Sequence, residues 1–338
     1  MELAKSSERL SPFLRFGLSW LPTYRWHWHA HDVYTLGLLC VYSACAIALY
    51  PWVEHASLWL LLNALIAMLI VLLAWADRTG APPWIQLLHW FYLPPVIYLM
   101  YQQVHAYVPV VNPHLYDELL IAWDYALFNT HPTHWLARFA NPVLTEYLQT
   151  AYMLFYFLPL LHGVELLTSR RFQQVQKLAR SMSFGFYFSY LCYFALPAIG
   201  PRFTLHDFSQ LDEELPGLWL TPTWRQYVNA GGGIPEGSPN PEQHVHRDCM
   251  PSGHTMMTLV NLILAFRFRS RTRRLLAVIG GSLIVATVYL RYHYAVDVLA
   301  GALCALFVLW LEPRIYRWLV QRGWVREKLY ARLESRAV

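Results

Sequence analysis

The sequence predicts an all-α fold, a polytopic membrane helical bundle of about eight transmembrane helices, and three observations lead there. The first is composition: of 338 residues, 56% are hydrophobic, 16% aromatic and only 14% charged, where a soluble domain carries about a quarter charged. The second is the recurrence of membrane-length apolar runs, at about 34–51, 57–75, 84–104, 144–167, 181–198, 252–268, 275–291 and 294–312. About 20 apolar residues cross a bilayer core, and lipid offers no partner to unpaired backbone groups, so each run is expected to be helical.

The third observation is where the basic residues fall. Lys5, Arg9, Arg15 and Arg25 precede the first run, and Arg170, Arg171, Lys177 and Arg180 lie between the fourth and fifth. Arg267, Arg269, Arg271, Arg273 and Arg274 fill the turn after the sixth, and Arg314, Arg317, Arg322, Arg326 and Lys328 follow the eighth. Eight crossings put all of them on one side, which the positive-inside rule makes cytoplasmic, together with both termini. The connections at about 102–143 and 199–251, poor in Lys and Arg, then lie outside. The expected organisation is a cytoplasmic lead-in at 1–33, a transmembrane domain at 34–312 with an outer loop at 199–251, and a basic cytoplasmic tail at 313–338.

In chain order, W-H-W-H-A-H (Trp26 to His31) offers alternating imidazoles and reads as an interfacial belt. The first two runs are plain scaffold, and Pro94-Pro95 predicts a kink in the third. Residues 117–140 space apolar residues helically, with Asp117, Glu118 and Asp124 between them, as in a helix lying in the outer interface; His131 and His134 follow. L-P-A-I-G-P-R-F (Leu196 to Phe203) stops a helix and leaves Arg202 just outside the hydrocarbon, where a snorkelling role competes with a functional one. Residues 204–250 form a long outer loop of the kind that serves as a lid or binding element. The five cysteines suggest neither a disulfide framework nor a metal site, with Cys249 alone in the outer loop, and no signal peptide is apparent.

Two short polar clusters carry chemistry. P-S-G-H (Pro251 to His254) opens the sixth run, with Ser252 as a natural N-cap and Gly253 permitting close approach to the backbone. A helix N-terminus seats phosphate oxygens, and His254 in its first turn can protonate a leaving group. At the end of the next run stand Arg291, His293 and Asp297. The i, i+4 spacing lets Asp297 hold one imidazole nitrogen of His293 while the other faces substrate, and Arg291 can bind two phosphate oxygens. Mutual satisfaction of His293 and Asp297 between helices explains their spacing alone; the two clusters together, with Arg202 on the same face, favour chemistry.

These residues resemble the type 2 phosphatidate phosphatase superfamily over about residues 190–312, and the Y-F-A-L-P-A-I-G-P-R and L-F-N-T-H-P stretches resemble its inositol phosphorylceramide synthase-like branch. The resemblance implies a six-helix core, attack on phosphorus by His293, orientation by Asp297 and protonation of the leaving group by His254. It also implies phosphoryl binding by Arg202, Ser252, Gly253 and Arg291, with no metal or other cofactor. Two departures stand out: Ala195 replaces the usual Lys seven residues before Arg202, which follows a proline rather than preceding one, and Thr287 replaces an Arg six residues before His293. The expected activity is that of a membrane lipid phosphatase acting on a lipid phosphate or phospholipid head group, with no nucleic-acid partner. The competing readings are a sphingolipid head-group transferase, an intramembrane serine hydrolase using Ser252, and a non-catalytic lipid carrier.

Overall fold

The computed structural model describes residues 28–78 and 82–325, so the basic residues before Trp28 and after Val325, and the Trp26-His27 half of the aromatic run, lie outside it. The described chain is helical throughout, and its β pairing is one isolated parallel bridge between Trp28 and Val325, which brings the two described ends together. Sixteen α-helices are described: α1 (Ala30–Ala48), α2 (Ala56–Arg78), α3 (Pro83–Phe91), α4 (Leu93–Val111), α5 (Asp117–Phe128), α6 (Pro132–Ala137), α7 (Pro142–Met153) and α8 (Phe157–Thr168). The second half holds α9 (Phe172–Cys192), α10 (Pro201–Thr204), α11 (Leu211–Glu214), α12 (Thr221–Gly231), α13 (Pro241–His244), α14 (Gly253–Arg267), α15 (Arg273–Tyr289) and α16 (Ala295–Gln321).

Three helices, α1, α2 over Ala56–Ala76, and α16, are each long and apolar enough to cross a membrane, and α7 with α8 makes a fourth if that pair, bent by 55°, is one crossing. The other expected runs are helical but differ in kind. The third is split at Tyr92 into α3 and α4 beside Pro94-Pro95, while α14 and α15 have only 15 and 17 residues. On α2 the apolar side chains Leu58, Leu61, Leu65, Met68 and Leu72 face outward while Ile66, Ile70 and Leu73 are buried. An amphipathic helix in water turns its apolar stripe inward; an additional apolar stripe on the outside suits lipid.

The core is built on α14, which packs against α16, α15 and α9. Close approach of α16 to the start of α14 depends on Gly301, where a Cβ would come within 2.6 Å of the Ser252 carbonyl. α16 has 27 residues and, at about 1.5 Å per residue, a length near 40 Å. One end of α16 follows His293 and the other reaches the Trp28–Val325 bridge, so the two polar clusters and the described chain ends occupy opposite ends of the bundle. Glu312, fully buried near the second end, is matched by Arg180 at 3.0 Å and by the Tyr34 hydroxyl at 3.1 Å.

The segment at 117–140 is not a simple interfacial helix. Asp117 and Asp124 of α5 are buried and act as acceptors for the site's backbone. Asp117 accepts from the Ile199 and Gly200 amides and from the Tyr294 hydroxyl, and Asp124 accepts from the Ala295 and Val296 amides that begin α16. The 204–250 loop is likewise structured, carrying a 3-10 turn at Phe208–Gln210 and three short helices.

Candidate active site

Ser252 caps α14: its Oγ accepts the Thr255 amide at 3.2 Å, and its own amide donates to the Asp297 carbonyl at 3.1 Å. That bond ties the first turn of α14 to the first turn of α16. His254 follows in the first turn of α14, its ring between Tyr152 and Phe155 at centroid separations of 4.4 and 4.3 Å. The His293 ring lies 5.8 Å away, centroid to centroid. The two imidazoles therefore meet, although 38 residues of helix and turn separate them in sequence.

His293 precedes α16, which begins at Ala295, so the His293–Asp297 spacing is not an i, i+4 pair on one helix. The correction matters for orientation. His293 Nδ1 stands 2.9 Å from the Cys249 carbonyl oxygen and 3.6 Å from Asp297 Oδ2. A carbonyl only accepts, so Nδ1 carries the proton and the neutral ring keeps its lone pair on Nε2. Asp297 instead accepts the Tyr294 amide at 2.9 Å and the Cys249 thiol at 2.8 Å, bracing the turn and the Cys249 segment with its charge close to the imidazole. Cys249 is thus a buried member of the site, not an isolated loop cysteine. Donor atoms of Cys249, His293 and Asp297 lie within 4.8 Å of one another, but their mutual hydrogen bonds account for them and we assign them no metal.

His254, His293 and Arg202 line one cavity of about 400 Å³. Arg202 is held there by a 2.9 Å bond from Nη1 to Asn229 Oδ1 and by the Tyr292 ring 5.0 Å below its guanidinium carbon. Its backbone amide donates to the Arg291 carbonyl at 3.1 Å. Gly200 permits this approach: it has φ +96°, and a Cβ there would sit 2.8 Å from the Tyr292 carbonyl. Ser252, Gly253, Asp297 and Arg291 are not on the cavity wall. Ser252 and Asp297 support the residues that are, whereas the Arg291 side chain turns away and ion-pairs with Glu214 of α11. His131 and His134 also lie elsewhere; His134 packs on His206, where burial foremost, and then Arg291, lower the imidazole pKa to about 3.

Part of the wall was not anticipated from sequence. α12 and the segment before Cys249 close one side with Tyr227, Val228, His246 and Asp248, while Tyr98 and Tyr101 of α4 and Tyr152 and Tyr156 at the α7–α8 corner supply hydroxyls and rings. The Tyr101 hydroxyl donates to Asp248 Oδ2 at 2.7 Å. Burial raises the Asp248 carboxyl, but the nearby His105 and His246 imidazoles and the Tyr101 hydrogen bond outweigh it and keep the pKa below the usual value. Burial lowers His246 despite the opposing carboxylate. H-V-H-R-D immediately before Cys249 was the available signal, since it places two imidazoles and an acid next to the P-S-G-H motif.

The architecture and this cavity define a membrane-helical protein with two facing histidines and an arginine around a small polar chamber. Residues 118–311, more than half of the chain, match the sequence model of the PAP2 superfamily, and the chain belongs to that superfamily. Its members are phosphatases and phosphotransferases, which supports an enzyme of that type. Comparison with curated proteins gives no match, and comparison with solved structures gives none.

Proposed function

We propose that this chain is an integral membrane lipid phosphatase that works through a phosphohistidine on His293. The observation that carries the reading is the pair of facing histidines beside Arg202, with His293 Nδ1 committed to the Cys249 carbonyl. In the first step, His293 Nε2 attacks the phosphorus of a lipid phosphate or phosphodiester, and His254 gives its proton to the departing lipid oxygen. Arg202 neutralises charge on the phosphoryl oxygens, and the α14 N-terminus adds its partial positive charge. Asp297 stabilises the charged imidazole from 3.6 Å while bracing the turn that carries it. Water then attacks the phosphohistidine and releases inorganic phosphate.

Head-group transfer to an alcohol, as in an inositol phosphorylceramide synthase-like enzyme, is the second reading. It shares the first step, and a chamber of about 400 Å³ has room for more than a phosphate. The serine hydrolase reading is disfavoured because Ser252 is fully buried and its Oγ is engaged with Thr255. We further propose eight crossings with broken and short helices included, both termini on the cytoplasmic side, and the cavity facing the outer side. The separation of cavity and chain ends along α16 supports that topology.

The test is product formation by purified full-length protein in detergent, wild type against His293→Ala, on phosphatidate, a prenyl diphosphate, and phosphatidylinositol plus ceramide. Inorganic phosphate lost in the variant supports the phosphatase, and transfer to ceramide without phosphate release supports the second reading. Turnover unchanged in the variant excludes both.

A further inference from the structure

We propose that Asp248 is a second catalytic residue, the base that deprotonates the acceptor hydroxyl or water attacking phosphorylated His293, with Tyr101, His246 and His105 positioning it. The inference rests on the phosphohistidine reading and separates its two half-reactions. Asp248 lines the same cavity as His254 and His293. Its Oδ2 accepts from Tyr101, and its Oδ1 has no hydrogen-bond partner among the described residues. The side chain is 25% exposed, so that oxygen is accessible to a molecule in the chamber.

Its placement is rigid because the next residue is Cys249, whose carbonyl anchors His293, whose thiol donates to Asp297 and whose amide donates to the Ala198 carbonyl at 3.1 Å. The carboxylate is therefore one peptide unit from the nucleophile's own anchor. A carboxylate kept from bulk water is normally paired with a cation or metal. Here the adjacent Arg247 bonds the Pro113 carbonyl instead, and Asp248 has around it Tyr101 and two imidazoles, with Arg202 and His293 on the same cavity wall within electrostatic reach but not hydrogen-bonded to it. Those imidazoles, His105 and His246, stack at 3.6 Å with planes 12° apart, and His246 Nδ1 lies 3.3 Å from the Tyr101 hydroxyl. Both ring nitrogens of His105 are buried without a partner, and its Nε2 is 4.0 Å from Asp248 Oδ2. Such a set of unspent polar groups beside a cavity suits a working acid–base station better than a structural one.

The two proton stations have different surroundings. His254 is clamped between aromatic rings, which suits a departing lipid oxygen, whereas Asp248 sits among Tyr101, His105 and His246, which suits a polar acceptor. In the second half-reaction the acceptor O–H proton passes to Asp248 Oδ1 as the acceptor oxygen bonds to phosphorus. The P–Nε2 bond breaks, its electron pair returns to the His293 ring, and Asp248 later passes its proton through chamber water to His254, which the first half-reaction left deprotonated.

The experiment is rapid-quench trapping of alkali-stable phosphoenzyme on full-length protein, using phosphatidic acid labelled on phosphorus in detergent micelles. In Asp248→Asn, turnover is expected to fall about 100-fold while labelled enzyme accumulates towards one per chain; Tyr101→Phe is expected to show the same pattern more weakly. Hydroxylamine, a strong nucleophile without deprotonation, should restore turnover to Asp248→Asn and not to His293→Ala, which a merely structural lesion would not permit. If wild type forms phosphoenzyme but Asp248→Asn turns over normally, or forms none, the Asp248 assignment is overturned while the phosphohistidine reading stands. If wild type forms no His293-dependent phosphoenzyme, the reading beneath it falls and takes this assignment with it.

Discussion

Two histidine–aspartate clusters sit at opposite ends of the bundle. At one end, His293 and Asp297 are 5% and 0% exposed; at the other, His31, His89 and Asp32 are 4%, 0% and 0% exposed. Burial does not separate them, and neither does residue type. Asp32 is saturated: it accepts the Tyr92 hydroxyl at 2.6 Å, the His29 amide at 2.8 Å and His89 Nε2 at 3.1 Å. None of its three residues lines the cavity around Arg202 and His254, whereas His293 does. His293 spends one nitrogen on a backbone carbonyl and keeps the other available. What sets the His293 end apart is an unspent atom that meets the chamber; at the other end Asp32 has its oxygens committed to partners and acts as a clamp, although His31 Nε2, 3.6 Å from Asp32 Oδ1, makes no hydrogen bond.

The largest effect separating the two clusters is expected in activity. His293→Ala should reduce turnover of a lipid phosphate on the order of 10⁴-fold, at the upper end of what a group taking part in the chemistry contributes. His254→Ala should match it on an alkyl ester and recover much of the loss on an aryl phosphate such as p-nitrophenyl phosphate, whose leaving group needs no proton. Equal losses on both substrates would remove His254 from the acid role. His89→Ala, at the clamp, should leave turnover per folded molecule close to wild type.

Stability should show the opposite ranking. Asp32→Ala leaves the His89 ring, the Tyr92 hydroxyl and an amide without their acceptor, and loss of one member of a buried paired group costs about 3–5 kcal/mol. Thermal unfolding in detergent should shift down sharply while the surviving folded fraction keeps its turnover. A clamp variant that remained stable but lost activity would mean that the distant cluster communicates with the site.

Asp124 joins the two kinds of behaviour, because it is fully paired yet supports the reactive end. Its carboxylate caps α16 through the Ala295 and Val296 amides, two and three residues beyond His293. Asp124→Ala should cost about 1–2 kcal/mol, as for loss of a strong cap, and should lower kcat more than it raises KM by loosening the His293 turn. A change confined to KM would place Asp124 in binding.

Much of this end was legible in sequence, for reasons tied to particular residues. P-S-G-H identifies a capped helix start by local chemistry, and Ser252 and His254 occupy those positions. The helical bundle follows from apolar length, although Pro94-Pro95 and the corner between α7 and α8 break runs that look continuous in composition. The His293–Asp297 relation was visible as a spacing, but its geometry was not, because the helix starts two residues after His293 and the Cys249 carbonyl, 44 residues back, takes the ring proton. Arg291 looked like a phosphate ligand because it is two residues from His293; its partner Glu214 lies 77 residues away, in a loop whose folding no local pattern discloses. Asp117 and Asp124 were invisible as supports for the same reason, since acids on an amphipathic helix ordinarily face water.

Ser252 gives the smallest expected effect and the sharpest boundary between support and chemistry. Its Oγ accepts the Thr255 amide at 3.2 Å and donates to the Thr255 hydroxyl at 3.1 Å, and its amide joins α14 to the Asp297 carbonyl. Ser252→Ala removes the side-chain bonds and keeps the amide, so the loss should be that of an N-cap, about 1 kcal/mol. Turnover should fall less than about 10-fold, the kinetic equivalent of about 1.4 kcal/mol, and a serine-directed phosphonate should leave the wild-type protein unlabelled. A nucleophilic serine predicts complete loss in Ser252→Ala and stoichiometric labelling of wild type, so these two measurements decide whether the hydroxyl holds the helix start or attacks the substrate.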